Sequence, residues 1–403
     1  MLKGKTVLLG VSGSIAAYKT VNLARLLKKE HAKVHVLMTR NAENFITATT
    51  FETLTGTKCL IDTFDRNFEF SVEHVALAKQ ADLVMVAPAS ANIIGKIAHG
   101  IADDMLTTTV MACPCKKFIA PAMNTNMYHN PIVRDNIARL KTFGYEFVEP
   151  VVGMLANGDM GNGKMAAEET LLSYIMKELA CEKDLMGQKV LVTAGPTREP
   201  IDPVRYITNH STGKMGYALA KAAVYRGASV TLVTGPTSIK KPDFVKVVEI
   251  TTAAELCEAV CAVSEEQDII IKAAAVADYR PASVSSEKVK KTGDQMSITL
   301  SRTEDTLKIL GEKKRKGQFL CGFSMETEHM VEHSREKLQK KSLDMIVANN
   351  LKVEGAGFGT DTNVITIITK DGERPLPIMS KEEAAHRILD EILEQRRKHE
   401  ADS

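Results

Sequence analysis

Apolar residues along the first 180 positions gather into short unbroken runs instead of alternating with polar ones. Residues 5–11, KTVLLGV, lead into a Gly/Ser turn, a 3.6-residue pattern follows over Ile15–Lys29, and a second run, KVHVLMT, fills 33–39. That order predicts strand, helix and strand. It continues through DLVMVAP (82–88), a helix after Ser90, KFIAPAM (117–123), a helix over Pro131–Lys141 and another at about 165–181. Unbroken apolar strands belong in a parallel sheet covered on both faces. The charged segment CEKDLMGQ interrupts the pattern, which restarts with KVLVTAG (189–195), a helix over 213–226 and SVTLVTG (229–235). The prediction is two doubly wound, Rossmann-like α/β domains, residues 1–186 and 187–403, with the boundary near Asp184–Gln188. Ligands are expected beyond the carboxyl ends of the strands.

Composition narrows the partners. The 403 residues carry 52 basic and 50 acidic side chains, a net charge of +2, and 44% hydrophobic residues, enough for filled cores. No stretch interleaves dense Lys/Arg with aromatics, which argues against nucleic acid and for small-molecule ligands. No apolar run reaches the ~20 residues of a membrane span, and MLKGKTVLLGV runs straight into a strand, so no membrane partner and a cytoplasmic location are expected. The seven cysteines are scattered without zinc spacing and read as reduced thiols, with Cys113-Pro-Cys115 as small buried residues before a strand.

Three segments of the first half suggest chemistry. GVSGSIAAY (10–18) sets Ser12, Gly13 and Ser14 between a strand and a helix start, which suits either a phosphate site or a plain turn capped by Ser14. It is not the G-x-G-x-x-G dinucleotide fingerprint. By themselves His74 reads as a solvated helix histidine and Asn124 as a turn residue. GMLANGDMGNGKM (153–165) holds four glycines, too many for a helix or strand interior, and suits a loop that wraps something.

Taken together, APASAN, the P-x-M-N-x-x-M run at Pro121–Met127 and His74 resemble the flavin-dependent cysteine decarboxylases, over most of residues 4–180. Tyr128 stands where that family usually has tryptophan. The resemblance implies a flavodoxin-like fold with Ser12, Gly13, Ser14, Thr39, Ser90 and Asn92 holding FMN, and with His74 and Asn124 catalytic. An imidazole is a suitable base at neutral pH, and an amide can hold a departing carboxylate. The glycine-rich loop becomes a substrate-clamping flap. Its family motif, A-C-G-D-x-G-x-G, has a cysteine that protonates the enethiol intermediate, and Asn157 occupies that position here. A carboxamide has no acidic proton to give at neutral pH. Three explanations follow: another acid substitutes, namely Asp159, Lys164, Tyr128 or a water held by Asn157; the reduction is slow and the enethiol accumulates; or the residue is a deliberate change that traps an intermediate.

The second half contains GPTREPIDPVRYITNHSTGKMG (195–216), a loop longer than packing requires, followed by KAAAVADYRP, SSEKVKKTG, GFSMET and KLQKKSLDMIVANN. STGKMG lacks P-loop spacing and reads as a helix start capped by Ser211 or Thr212. Clustered lysines alone read as a solvated face. The set nevertheless resembles phosphopantothenate–cysteine ligase, and the order of the halves resembles the bifunctional bacterial enzymes of coenzyme A synthesis. The resemblance implies CTP-dependent activation of 4′-phosphopantothenate as an acyl-cytidylate, attack by cysteine, and then decarboxylation to 4′-phosphopantetheine. By the same resemblance Asn209 binds the acyl-cytidylate and Lys288 is catalytic. Asp278 binds the nucleotide or Mg2+, Phe323 contacts base or ribose, and Glu304, Asp305, Thr306 and Leu307 line the nucleotide pocket. Lys337 and Lys341, four apart on a helix and hence on one face, also bind CTP by that resemblance.

Two other readings stand beside this one: an active ligase with an impaired decarboxylase half, and a non-enzymatic flavin-fold regulatory protein. The resemblance also implies a homo-oligomer, with trimeric decarboxylase and dimeric ligase contacts that together make a dodecamer, and flavin sites at subunit contacts.

Overall fold

In the computed structural model, which describes residues 1–64, 73–154, 158, 160–290, 296–326, 329–350 and 357–401, the unbroken apolar runs form central strands. Thr6–Val11 and Leu83–Ala89 are buried at every position, as strands covered on both faces must be. The first sheet has five parallel strands in the order Lys33–Met38, Thr6–Val11, Leu83–Ala89, Lys116–Pro121, Glu146–Phe147. This 2-1-3-4-5 order is that of flavodoxin-like folds and puts the switch point beside the first strand. Leu8, Val84, Val86 and Ile119 pack there with Ile93, Leu106 and Leu140 from the covering helices. The glycine-rich segment, expected to be a loop, is corrected: Val151–Met154 pairs with Met160–Lys164 in a two-stranded hairpin, and Gly153, Gly161 and Gly163 stand in its strands, Gly153 opposite Gly161. Leu155, Ala156, Asn157 and Asp159 lie outside the described residues.

The chain divides into two compact units, residues 1–181 and 182–403. The linking segment folds with the second. Arg226, almost fully buried, donates through Nε and Nη2 to Asp184 at 2.8 and 2.5 Å and through Nη1 to Asp390 at 2.7 Å, and Leu185 N–H bonds to the Arg226 carbonyl. A two-pronged guanidinium–carboxylate contact fixes orientation as well as charge.

The second sheet has eight strands: Lys246–Glu249, Ser229–Thr234, Lys189–Ala194, Ile269–Lys272, Phe319–Glu326, Met345–Asn350, Ile365–Thr369 and Glu373–Pro375. The first six are parallel, and the last two add an antiparallel edge that the sequence pattern did not suggest. Leu191, Ile270, Leu320, Ile346 and Ile368 fill one face against Leu256, Leu310 and Leu338.

Two expected helix caps are corrected. The helix after Ser14 begins at Ala17, and its N-cap Ala16 makes no side-chain cap; the Ser14 hydroxyl accepts only the Ala16 N–H. The helix Lys214–Tyr225 is entered from Gly213 at φ +81°, a backbone that side chains rarely adopt, so neither Ser211 nor Thr212 caps it. Thr212 instead donates to the Phe358 carbonyl at 2.7 Å.

Candidate active sites

In the first unit two clefts meet at the Gly13 turn, at the carboxyl ends of the first and third strands. One, of about 520 Å³, is lined by Ser12, Gly13, Thr39, Ser90 and Asn92 together with the Lys96, Asp103 and Asp104 cluster. A Cβ on Gly13 would lie 2.8 Å from the Asn41 Cβ, so the close turn excludes other residues. Ser12 is committed internally: its hydroxyl donates to the Pro88 carbonyl at 2.8 Å and accepts the Ser90 N–H at 2.9 Å. It therefore ties the first strand end to the third. Ser90 caps the helix Ala91–Ala98. The buried Thr39 hydroxyl has no hydrogen-bond partner in the protein, and such groups are rare unless something else satisfies them. An unmet hydroxyl, a helix N-terminus and a side-chain-free turn fit a flavin phosphate. Lys96 neutralises the flanking Asp103 and Asp104 at 2.6 and 3.2 Å.

The second cleft, about 680 Å³, is lined by Ser14, Tyr18, Lys19, Met123, Asn124, Met127, Gly163, Lys164 and Met165. Asn124 N-caps the short helix Thr125–His129, its carbonyl oxygen accepting the Asn126 N–H at 2.8 Å. The amide NH2 is then the end able to meet a carboxylate. Lys19 donates to the Met165 carbonyl at 2.9 Å, and burial pushes its ammonium below the usual range against the pull of Glu168. Lys19 and Lys164 were not read as a pair in the sequence; the signal was a lysine one turn past the Ser-Gly-Ser turn and another closing the glycine-rich hairpin.

His74 lies on the helix Glu73–Gln80, one turn before the buried Leu77 and Ala78, and lines neither cleft. Within one chain the structure does not bring it to Asn124. Tyr128, offered as a substitute acid, is corrected: it is 2% exposed, its hydroxyl donates to Glu149 at 2.6 Å, and burial with that bond pushes it up to about 12. Lys164 lines the cleft, whereas Asn157 and Asp159 lie outside the described residues.

In the second unit one cleft of about 440 Å³ collects Asn209, Asp278, Phe323 and Lys337 from four separate elements. Asn209 is held by a bond from its Nδ2 to the Ala275 carbonyl at 3.2 Å. The wall also includes Gly213–Gly216, Asn349, Phe358 and Lys381. Lys381, missed in the sequence, is buried and donates to the Gly357 carbonyl at 2.8 Å and to that of Thr360, while Lys214 bonds to the Gly359 carbonyl and Asp361. Two lysines thus bind the 357–361 segment to this wall.

Other expected residues do not line that cleft. The helix Met330–Lys340 ends before Lys341, which pairs with Asp305 at 2.8 Å, so Lys337 and Lys341 serve different places. Asp305 caps the helix Thr306–Lys313, and Leu307 packs against the core. Exposed Glu304 lines a separate cleft with Arg280 and Arg302. Exposed Lys288 sits on a loop gripped from below: the buried Asp202 accepts from the Val289 N–H at 3.2 Å and from Arg205, which donates to the Val289 carbonyl at 2.9 Å.

Lys272, whose charge is felt by Asp305 and Lys341, is 6% exposed, its ammonium without a hydrogen-bond partner. Burial pushes its pKa down from 10.5 to about 7. Between those values the unfolded chain binds the extra proton, so this group's contribution to stability rises with pH through that window and is flat and unfavourable below it. Lys272→Met is expected to raise the melting temperature at pH 7, with an advantage that shrinks by pH 9; calorimetry at both pH values checks it.

Among the described residues no helix is long and apolar enough to cross a membrane, and no three His, Cys, Asp or Glu side chains converge as a metal site.

Comparison with known proteins covers both units. The profile of the Flavoprotein family matches residues 1–180, and that of the DNA/pantothenate metabolism flavoprotein C-terminal domain matches 185–395. The coenzyme A biosynthesis bifunctional protein CoaBC of Bacillus subtilis (strain 168) is 48% identical over 396 residues, 97% of each chain. That of Escherichia coli (strain K12) is 41% identical over 395 residues, again 97% of each. Among solved structures, the C-terminal domain of a CoaBC protein is 47% identical over 53% of this chain and 100% of its own, with TM-score 0.46. The FMN-dependent cysteine decarboxylase SpaF is 32% identical over 44% of this chain and 98% of its own, with TM-score 0.39.

Proposed function

Because the chain belongs to the family of the bifunctional coenzyme A biosynthesis proteins, with a decarboxylase half and a phosphopantothenate–cysteine ligase half, we propose how its residues divide the two reactions. The second unit couples 4′-phosphopantothenate to cysteine through an acyl-cytidylate made from CTP. The first unit decarboxylates the product with FMN.

The ligase assignment is supported above all by the convergence of Asn209, Asp278, Phe323 and Lys337 on one cleft at the carboxyl ends of parallel strands. Asn209, its carboxamide fixed through Ala275, orients the acyl phosphate. Lys337 offsets phosphate charge, and Lys288, carried on the loop held by Asp202 and Arg205, approaches from the side. Phe323 lies against the nucleoside. A magnesium ion travelling with the triphosphate would be held on this wall by the Asp278 carboxylate.

In the decarboxylase unit Thr39, Gly13, Ser14, Ser90 and Asn92 hold FMN, with Ser12 fixing the two strand ends beneath it. Bound flavin supplies the hydride acceptor. Asn124 holds the substrate carboxylate through its NH2. His74, the proton acceptor, is separated from Asn124 within one chain, which favours a site completed by the partner's His74 and agrees with the trimer expected from resemblance. Domains 1–186 and 187–403 are assigned accordingly, and the complete particle is a dodecamer. Lys164 is the remaining described candidate for the acid that replaces the family cysteine at Asn157.

The test is mass spectrometry of products from purified protein given phosphopantothenate, cysteine and CTP, with a flavin absorption spectrum. Phosphopantothenoylcysteine, phosphopantetheine and a flavin spectrum are expected. Absence of both the ligation product and bound flavin would refute the proposal.

A further inference from the structure

We propose that Asn349 selects the nucleotide base, its side-chain carbonyl accepting a hydrogen bond from the exocyclic amine of an aminopyrimidine; this rests on the ligase reading above. Asn349 sits near the carboxyl end of the strand Met345–Asn350, and in the parallel register it lies beside Met325, as Val347 lies beside Phe323. Side chains alternate along strands, so Phe323, Met325, Val347 and Asn349 share one face. The residue lines the ligase cleft yet is 7% exposed, and its Oδ1 has no hydrogen-bond partner in the protein. Buried polar atoms are nearly always paired, so an orphan acceptor on a ligand cleft calls for a donor on the ligand.

Sheet order identifies which part of the ligand reaches it. Asn209 is tied to Ala275, just beyond the strand Ile269–Lys272; the next strand contributes Phe323 and the one after that contributes Asn349. Neighbouring strands are about 4.8 Å apart, so Asn349 lies roughly 10 Å across the sheet from the Asn209 anchor. An acyl-nucleotide with its reacting phosphate at Asn209 and its nucleoside against Phe323 presents the base at this far end. Cytosine carries an amino donor where uracil carries a carbonyl acceptor. Facing Oδ1, the uracil oxygen leaves two buried acceptors opposed, and a site built for a substrate N–H strongly rejects the analogue lacking it. On its other side Asn349 pairs in the antiparallel register with Ile365 of the edge strand Ile365–Thr369.

The experiment compares kcat/KM for CTP and UTP in the full-length enzyme, with phosphopantothenate and cysteine saturating, for wild type, Asn349→Leu and Asn349→Asp. Wild type is expected to favour CTP. Asn349→Leu should lose about 10–100-fold with CTP, mainly through KM, while UTP is unchanged, so that the preference collapses. Asn349→Asp keeps an acceptor and should keep the preference. CTP and UTP falling together in Asn349→Leu, neither falling, or Asn349→Asp losing the preference would each overturn the inference, as would a wild-type enzyme that accepts UTP equally. The aspartate arm decides if the leucine variant does not fold. A wild-type enzyme that forms no phosphopantothenoylcysteine with any nucleotide refutes the ligase reading itself, which is a distinct result.

Discussion

Asn124→Asp is expected to stop decarboxylation, by at least ~100-fold, while ligation proceeds unchanged and phosphopantothenoylcysteine accumulates. The asparagine carbonyl is already engaged with the Asn126 N–H at 2.8 Å, so a carboxylate preserves the turn. What changes is the other end of the group. The NH2 that faces the cleft becomes an anionic oxygen set against the carboxylate it should hold, and an attraction becomes a repulsion in a partly buried place. Carbon dioxide release and product masses measured in the same reaction separate the two activities. Unimpaired carbon dioxide release would show that Asn124 only caps its helix.

The second large effect is expected at a residue that touches no substrate. Asp202 accepts the backbone N–H groups of Val204 and Arg205 at 2.8 Å, the Arg205 guanidinium, and the Val289 N–H, next to Lys288. The Arg205 guanidinium holds its carboxyl well below the usual carboxylate range, so it is ionised at every pH at which the enzyme is assayed. Asp202→Asn removes the charge that retains Arg205 and frees the loop beneath Lys288. Displacement of a positioned group by about 1 Å can cost ~100-fold, and a fall in ligation of roughly 10–100-fold is expected, with decarboxylation of supplied phosphopantothenoylcysteine unaltered. The distinguishing measurement is a double-mutant cycle: in a Lys288→Gln background the Asp202→Asn substitution should have little further effect. Additive losses would mean that Asp202 acts elsewhere.

Much of the architecture was legible along the chain. Strands buried on both faces must be unbroken apolar runs, so KTVLLGV, DLVMVAP and KVLVTAG declared themselves as parallel strands without any tertiary information. The antiparallel edge was not legible, because Ile365–Thr369 is as apolar as its parallel neighbours and direction leaves no mark in composition. Helix starts were misjudged where the turn was made by backbone, as at Gly213, and a nearby Ser or Thr found a partner in another loop.

The sequence by itself determined the alternation of strands and helices, the two-fold repetition of that pattern and the loops at which chemistry could sit. Those follow from local periodicity and from glycine, which act within a few residues. Only the tertiary structure decided what individual polar groups do, because a polar side chain is defined by the partner it meets. Folding turned Tyr128 from candidate acid to donor for Glu149, sent Lys341 to Asp305 and away from Lys337, and set Asp202 beneath Lys288. It also left Asn349 with an acceptor and no donor. Each of these joins residues distant in sequence, and no periodicity encodes such a pairing.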